Sequence, residues 1–257
     1  MTVFSPPSPP SSLPGRPFYK NLEDKEMKIG GFQKFSLIDY PGKISAVIFV
    51  QGCNFRCPYC HNRELVLPEY FSFSLQEEEI LEFLENRKGK IEGVVITGGE
   101  PTIFPDLPDL LLKIKRLGYY IKLDTNGSNP QMIKLLIERK LVDYIAMDVK
   151  APLEKYKEIT GVNADTEKIA SSIKLIKSSG IEYEFRTTVI YGIHTYADIL
   201  KICNLIKGSD RYVIQNFYPS ENLVDKSFQT KTGFLKEELA RIEKKFKDRF
   251  SSFFIRT

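Results

Sequence analysis

The strongest constraint on the fold of this chain is an alternation of short apolar runs with longer amphipathic ones. Six runs have the length and composition of β-strands: Ser45–Val50, Gly93–Thr97, Tyr119–Asp124, Asp143–Asp148, Tyr183–Ile190 and Arg211–Phe217. Most are apolar throughout, as parallel strands buried on both faces must be. Between them lie six helical patterns: Ser74–Lys88, Leu107–Leu117, Gln131–Lys140, Ala164–Ser179, Thr195–Lys207 and Leu235–Arg249. Ser74-x-x-Glu77 reads as a capping box, and Asn129-Pro130 as a cap with proline in the first turn. Gly118 and Gly180 stand just past two helix ends, where a left-handed residue is needed. Six β-α units predict an α/β fold with a parallel sheet, curled into a partial (β/α)6-type barrel, with an open doubly wound sheet as the rival.

The expected domain is residues 27–257, one barrel with no second domain and no internal repeat beyond the β-α alternation. Residues 1–26 read differently. Six of the 15 prolines fall within Met1–Pro17, with serines between them. Such a segment reads as a disordered, polyproline-like tail rather than a signal peptide, with Met27 as an alternative start. The net charge of +4 is too small to point to nucleic acid or an acidic membrane. No apolar run is long enough to span a bilayer. The expected setting is therefore cytoplasmic, with no nucleic-acid or membrane partner.

Three of the four cysteines, Cys53, Cys57 and Cys60, fall within eight residues, directly after the first predicted strand. Four chemistries compete for them. Cys57-Pro58-Tyr59-Cys60 has the form of a redox dithiol, but a dithiol has no use for Cys53. Cys57-x-x-Cys60-His61 has the spacing of a haem attachment site, but that belongs to exported proteins. Zinc needs four ligands, and Cys203 is isolated in a helical pattern that buries it. A 4Fe–4S cluster on three thiolates uses every clustered cysteine and leaves one iron open for another ligand.

Polar groups gather at the predicted strand ends, where parallel α/β folds place their sites. Gly98-Gly99-Glu100-Pro101 offers close backbone approach and a carboxylate. It also has the punctuation of a plain turn. Asp124-Thr125-Asn126-Gly127 and Asp148-Val149-Lys150 follow the next two strands. Arg186 lies within an apolar strand, where it needs a partner; Glu184 and Thr188 share its face. His194 precedes a helix and reads as either structural or catalytic.

C-x3-C-x2-C with an aromatic before the last cysteine resembles the radical S-adenosylmethionine enzymes. The resemblance covers Ile29 to Phe217. It implies that the open iron binds the amino and carboxylate groups of S-adenosylmethionine, and that one electron then releases a 5′-deoxyadenosyl radical. Phe35-Ser36-Leu37-Ile38-Asp39-Tyr40-Pro41-Gly42, Phe49-Val50-Gln51-Gly52-Cys53 and Cys60-His61-Asn62 are similar to the glycyl-radical activating branch, specifically the activators of anaerobic ribonucleoside-triphosphate reductase. The resemblance assigns Cys53, Cys57 and Cys60 to the cluster. It assigns Tyr59, Gly98, Gly99, Glu100, Asp124, Asn126, Asp148, Lys150 and Arg186 to S-adenosylmethionine. Glu100's stretch would meet the amino group and Arg186 the methionine carboxylate. Tyr59 would pack beside the adenine, and Asp124 and Asp148 would help hold a monovalent cation. The implied partners are a glycyl-radical enzyme and a flavodoxin or ferredoxin as electron donor. Gln215-Asn216-Phe217-Tyr218-Pro219-Ser220 lacks the histidine found at this place in pyruvate formate-lyase activators, a departure that weakens an assignment to pyruvate formate-lyase. Another glycyl-radical enzyme, a small-molecule substrate, and a zinc or dithiol protein are the alternatives.

Overall fold

The computed structural model describes residues 26–257. The expectation for residues 1–26 lies outside these, apart from Glu26. One eight-stranded sheet runs through the chain in sequence order. Strand β1 (Lys28–Ser36) pairs antiparallel with β2 (Ser45–Gln51). Parallel neighbours follow: β3 (Gly93–Gly98), β4 (Tyr120–Thr125), β5 (Tyr144–Asp148), β6 (Glu182–Val189), β7 (Arg211–Asn216) and β8 (Ser252–Arg256). β8 does not return to β1, so the sheet is a partial barrel, as the β-α alternation predicts.

Two strands escape the sequence reading. β1 has two glycines and polar interruptions, so it carries neither an apolar run nor a clean alternation. β8 is only five residues long and follows a helical pattern. All six predicted strands are present, with ends shifted by a residue or so.

Among the described residues the connections carry eight α-helices. Short helices α1 (Arg63–Val66) and α5 (Tyr156–Thr160) sit beside the sheet's C-terminal rim. The longer ones are α2 (Glu77–Glu85), α3 (Leu107–Arg116), α4 (Pro130–Glu138), α6 (Thr166–Lys177), α7 (Tyr196–Leu205) and α8 (Lys236–Phe246). Their apolar faces cover the outer side of the sheet. Ile169, Ile173 and Ile176 of α6 are all buried, as their spacing predicts. The Asn129 side chain caps α4 by accepting from Met132 N–H. The capping box expected at Ser74 does not form. Ser74 Oγ instead accepts from Ile29 N–H, 45 residues away, and α2 begins at Glu77. A long-range strand contact outcompetes the local cap.

Inside the barrel, the lower layer is closed by Tyr40, which packs with Val47, Val95, Tyr144 and Ala146. Glu184 is buried there and receives hydrogen bonds from Tyr144 and Arg256. This closes the N-terminal end of the barrel and leaves the C-terminal end open.

Candidate functional site

The open end holds a cavity of about 400 Å³. Every residue that the resemblance assigns to the cluster or to S-adenosylmethionine lines it: Cys53, Cys57, Tyr59, Cys60, Gly98, Gly99, Glu100, Asp124, Asn126, Asp148, Lys150 and Arg186. Segments separated by more than a hundred residues in the chain converge there because parallel strands all deliver their C-terminal ends to one rim.

The cysteine loop, 52–62, is pinned from several sides. Arg56 N–H donates to Thr160 O at the end of α5, at 2.8 Å. The Arg56 guanidinium donates to the carbonyls of Cys53 and Phe55, at 2.6 and 2.7 Å. Gly99 and Glu100 N–H groups donate to the Val50 and Gly52 carbonyls. From the far side, Val224 and Asp225 N–H groups donate to Cys60 and Pro58 carbonyls. Cys57 is buried, and Cys53 and Cys60 are half-buried. Burial pushes the Cys57 thiol up to about 11, and raises Cys53 and Cys60 as well. These thiols are protonated until a metal centre takes their protons' place. Among the described residues no three His, Cys, Asp or Glu groups form a ready ligand set for one metal ion. A cluster spreads its thiolates over separate irons and needs no such convergence.

Opposite the cysteine loop is a buried ionic network. Arg186 donates from Nε to Asp148 at 2.8 Å and from an NH group to Asp124 at 3.0 Å. Lys150 pairs with Asp148 at 2.8 Å, and Lys122 pairs with Asp124. Burial alone would raise the pKa of each carboxyl. The adjacent cations outweigh it and hold Asp124 and Asp148 below the usual carboxylate range. Lys150 is likewise held charged, because Asp148 overcomes its desolvation. The network contains three cations and two anions, a balance of +3 − 2 = +1. The pairing of Arg186 with Glu184, one sequence expectation, is absent. Glu184 faces the lower layer and pairs with Arg256.

Glu100 has a different setting from that of an open carboxylate. It is buried and accepts from Thr102 N–H and Oγ1–H, Thr125 Oγ1–H and Asn126 N–H. Burial raises its pKa despite those donors. Its role in the fold is to lock the loop after β4 to the loop after β3. What this stretch turns toward the cavity is chiefly backbone. Side-chain-free backbone is required here: a Cβ on Gly99 would overlap the Gly52 carbonyl, and Gly98 has a φ of +113°.

Tyr59 is buried edge-on to Phe217, and its hydroxyl has no hydrogen-bond partner among the described residues. His194 is not in the cavity lining. Its Nδ1 accepts from Ile190 N–H at 3.2 Å, so the proton sits on Nε2, which donates to Lys150 O at 3.1 Å. Burial lowers its pKa, so the imidazole stays neutral. It steadies the Lys150 segment rather than acting in the cavity.

Sequence reasoning missed Lys122 and Asn54. Lys122 stands two residues before Asp124 in an apolar strand, so period-2 alternation places both on one face. Asn54 carries no such signal. Its side chain bonds to Asn126 at 2.9 Å and Ser128 at 2.8 Å, tying the cysteine loop to the loop after β4.

The model of the radical SAM superfamily matches residues 47–206, which spans this sheet from β2 into α7. The chain belongs to the radical SAM superfamily and is an enzyme of that type. The family uses a 4Fe–4S cluster and S-adenosylmethionine, and the three thiols and the cavity fit those cofactors. Within it the chain is similar to the glycyl-radical activating group. A Methanocaldococcus jannaschii protein named for glycyl-radical enzyme activation is 38% identical over 86% of this chain and 93% of its own length. The pyruvate formate-lyase-activating enzyme of Clostridium pasteurianum is 29% identical over 70% of this chain and 76% of its own. A radical SAM methyltransferase from Sphaerobacter thermophilus shares the fold, with a TM-score of 0.66 at 17% identity, over 84% of this chain and 67% of that one.

Proposed function

We propose that this chain activates an anaerobic ribonucleoside-triphosphate reductase by generating a radical on a glycine of that partner. One observation carries the reading: three thiols face a buried network of net charge +1 across a single cavity, in a chain similar to glycyl-radical activators. When bound, the 4Fe–4S cluster and S-adenosylmethionine supply one-electron cleavage chemistry that leaves a radical able to take a Cα hydrogen.

The chain's own residues position and shield that chemistry. Cys53, Cys57 and Cys60 hold the cluster on a loop that the Arg56 hydrogen bonds keep rigid. Arg186 and Lys150 supply the positive charge that receives a carboxylate, since with Lys122 the network carries one more cation than anion. With the Glu100 carboxylate engaged internally, an ammonium group meets the backbone of Gly98 to Glu100. Asn126 reaches from the loop after β4 toward Cys53. Asp124 and Asp148 carry the hard oxygens suited to a monovalent cation, but Arg186, Lys122 and Lys150 occupy them, so a cation would have to displace one of these pairs. Tyr59 supplies an apolar ring wall for the adenine. The reductant is a flavodoxin or ferredoxin. The barrel spans residues 27–257 as one domain.

The reductase is favoured over pyruvate formate-lyase because Pro219 follows Tyr218 where those activators have a histidine. The likeness to the Clostridium activator keeps another glycyl-radical enzyme as the second reading. Anaerobic protein, reconstituted with iron and sulfide and reduced with S-adenosylmethionine present, is mixed with each candidate partner. A glycyl-radical signal by electron paramagnetic resonance is expected with the reductase. A signal only with another enzyme reassigns the partner.

A further inference from the structure

On the wall of the cavity formed by β6 and β7, Thr188 and Gln215 are assigned to nothing above. Thr188 and Gln215 are paired across these parallel strands, so their side chains share a face. That face is the inner one, since Thr188 lies two residues beyond Arg186. Both line the cavity and both are half-buried. Neither side chain has a hydrogen-bond partner among the described residues. Their polar neighbours are all engaged. Arg186 is held by two aspartates, and the Asn216 carboxamide exchanges both its hydrogen bonds with Phe234. Arg256 is paired with Glu184.

Beyond Arg186, Thr188 and Gln215 therefore offer donors and acceptors but no charge. A carboxamide presents one carbonyl and one NH₂, the same pair of functions as a peptide group, and a threonine hydroxyl both donates and accepts. The matching ligand is neutral, with a donor and an acceptor side by side. The one cation on this wall, Arg186, is given above to the cofactor's carboxylate, so Thr188 and Gln215 themselves offer nothing to an anion.

We infer that Gln215 and Thr188 form a subsite for the main-chain peptide groups flanking the target glycine. The inference rests on the activase reading above and adds to it the recognition of extended backbone beside the cofactor. A glycine has no side chain to grip, so its main chain is what a site can hold in register. Two neutral hydrogen bonds to a peptide group give modest affinity and fix which Cα faces the cavity.

The test is calorimetric binding of a blocked nine-residue peptide copied from the glycine loop of an anaerobic ribonucleotide reductase. The protein is reconstituted anaerobically and loaded with S-adenosylmethionine. Gln215→Leu is expected to weaken peptide binding roughly five- to tenfold, and Thr188→Val to weaken it further. S-adenosylmethionine affinity, measured in the same variants, should stay within about twofold. A peptide with the glycine nitrogen methylated should bind the wild type weakly and lose little more in Gln215→Leu. Equal peptide binding by wild type and both variants overturns the subsite alone. Parallel loss of S-adenosylmethionine affinity overturns it too, making these residues cofactor contacts. A wild type that binds no reductase glycine peptide overturns the subsite and, with it, the reductase as the partner.

Discussion

Arg186 joins two aspartates from different strands, and its removal leaves both carboxylates facing each other with only lysines beside them. Breaking one partner out of a buried ionic set costs about 3 kcal/mol or more. Arg186→Met is therefore expected to lower stability by about that amount in urea denaturation. It should weaken S-adenosylmethionine binding at least about tenfold while iron content stays at wild-type level, since Arg186 touches no cysteine. Unchanged affinity would remove Arg186 from the cofactor site. Cys57→Ala should give the opposite pattern, with iron and sulfide lost. At this scale the sequence was a good guide. The lone arginine in an apolar strand announced that it needs a partner, and the strand-end position of Asp124 and Asp148 announced the rim, but neither announced a network joining them. The identity of Arg186's partners was not legible, because pairing across three strands depends on the curvature of the sheet. Glu184, adjacent in alternation, turned out to belong to a separate pair with Arg256.

At the scale of elements, the cysteine loop is held by backbone contacts with the Gly98–Gly99 segment. Gly99→Ala places a methyl group against the Gly52 carbonyl, so the loop must shift. The expected outcome is a folded protein with reduced iron incorporation, read by iron analysis and circular dichroism. Full iron loading would show that the close approach is not required. Six strands and the α4 cap were readable because their signals are local: apolar runs, and Asn129-Pro130. The strands that were not readable take their stability from pairing rather than composition. β1 has a glycine pair and exposed polar residues, and β8 contributes five residues to an edge. Ser74 is the same lesson in miniature, a helix-capping pattern diverted to Ile29 by tertiary contact.

Across the whole molecule, charge couples stability to pH. Asp124 and Asp148 titrate lower in the fold than the unfolded value of about 3.9. Their stabilising contribution is present above that value and is lost as pH falls through their folded range. Glu100 has the opposite sign, since its folded pKa is raised, and protonating it in acid offsets part of the loss. The urea midpoint should fall below about pH 4, and fall less steeply in Arg186→Met. Equal slopes would separate the network from acid sensitivity. No described helix is long and apolar enough to cross a membrane. The open end of the partial barrel gathers the thiols, the ionic network and the neutral pair Thr188 and Gln215 around one cavity, so a partner's glycine must come to that end. The most direct measurement uses a reductase deuterated at its glycine α-carbons, incubated anaerobically with the reconstituted, reduced protein and S-adenosylmethionine. The account predicts one deuterium in the 5′-deoxyadenosine recovered by mass spectrometry. Cleavage that proceeds with partner present and leaves the 5′-deoxyadenosine unlabelled would contradict it.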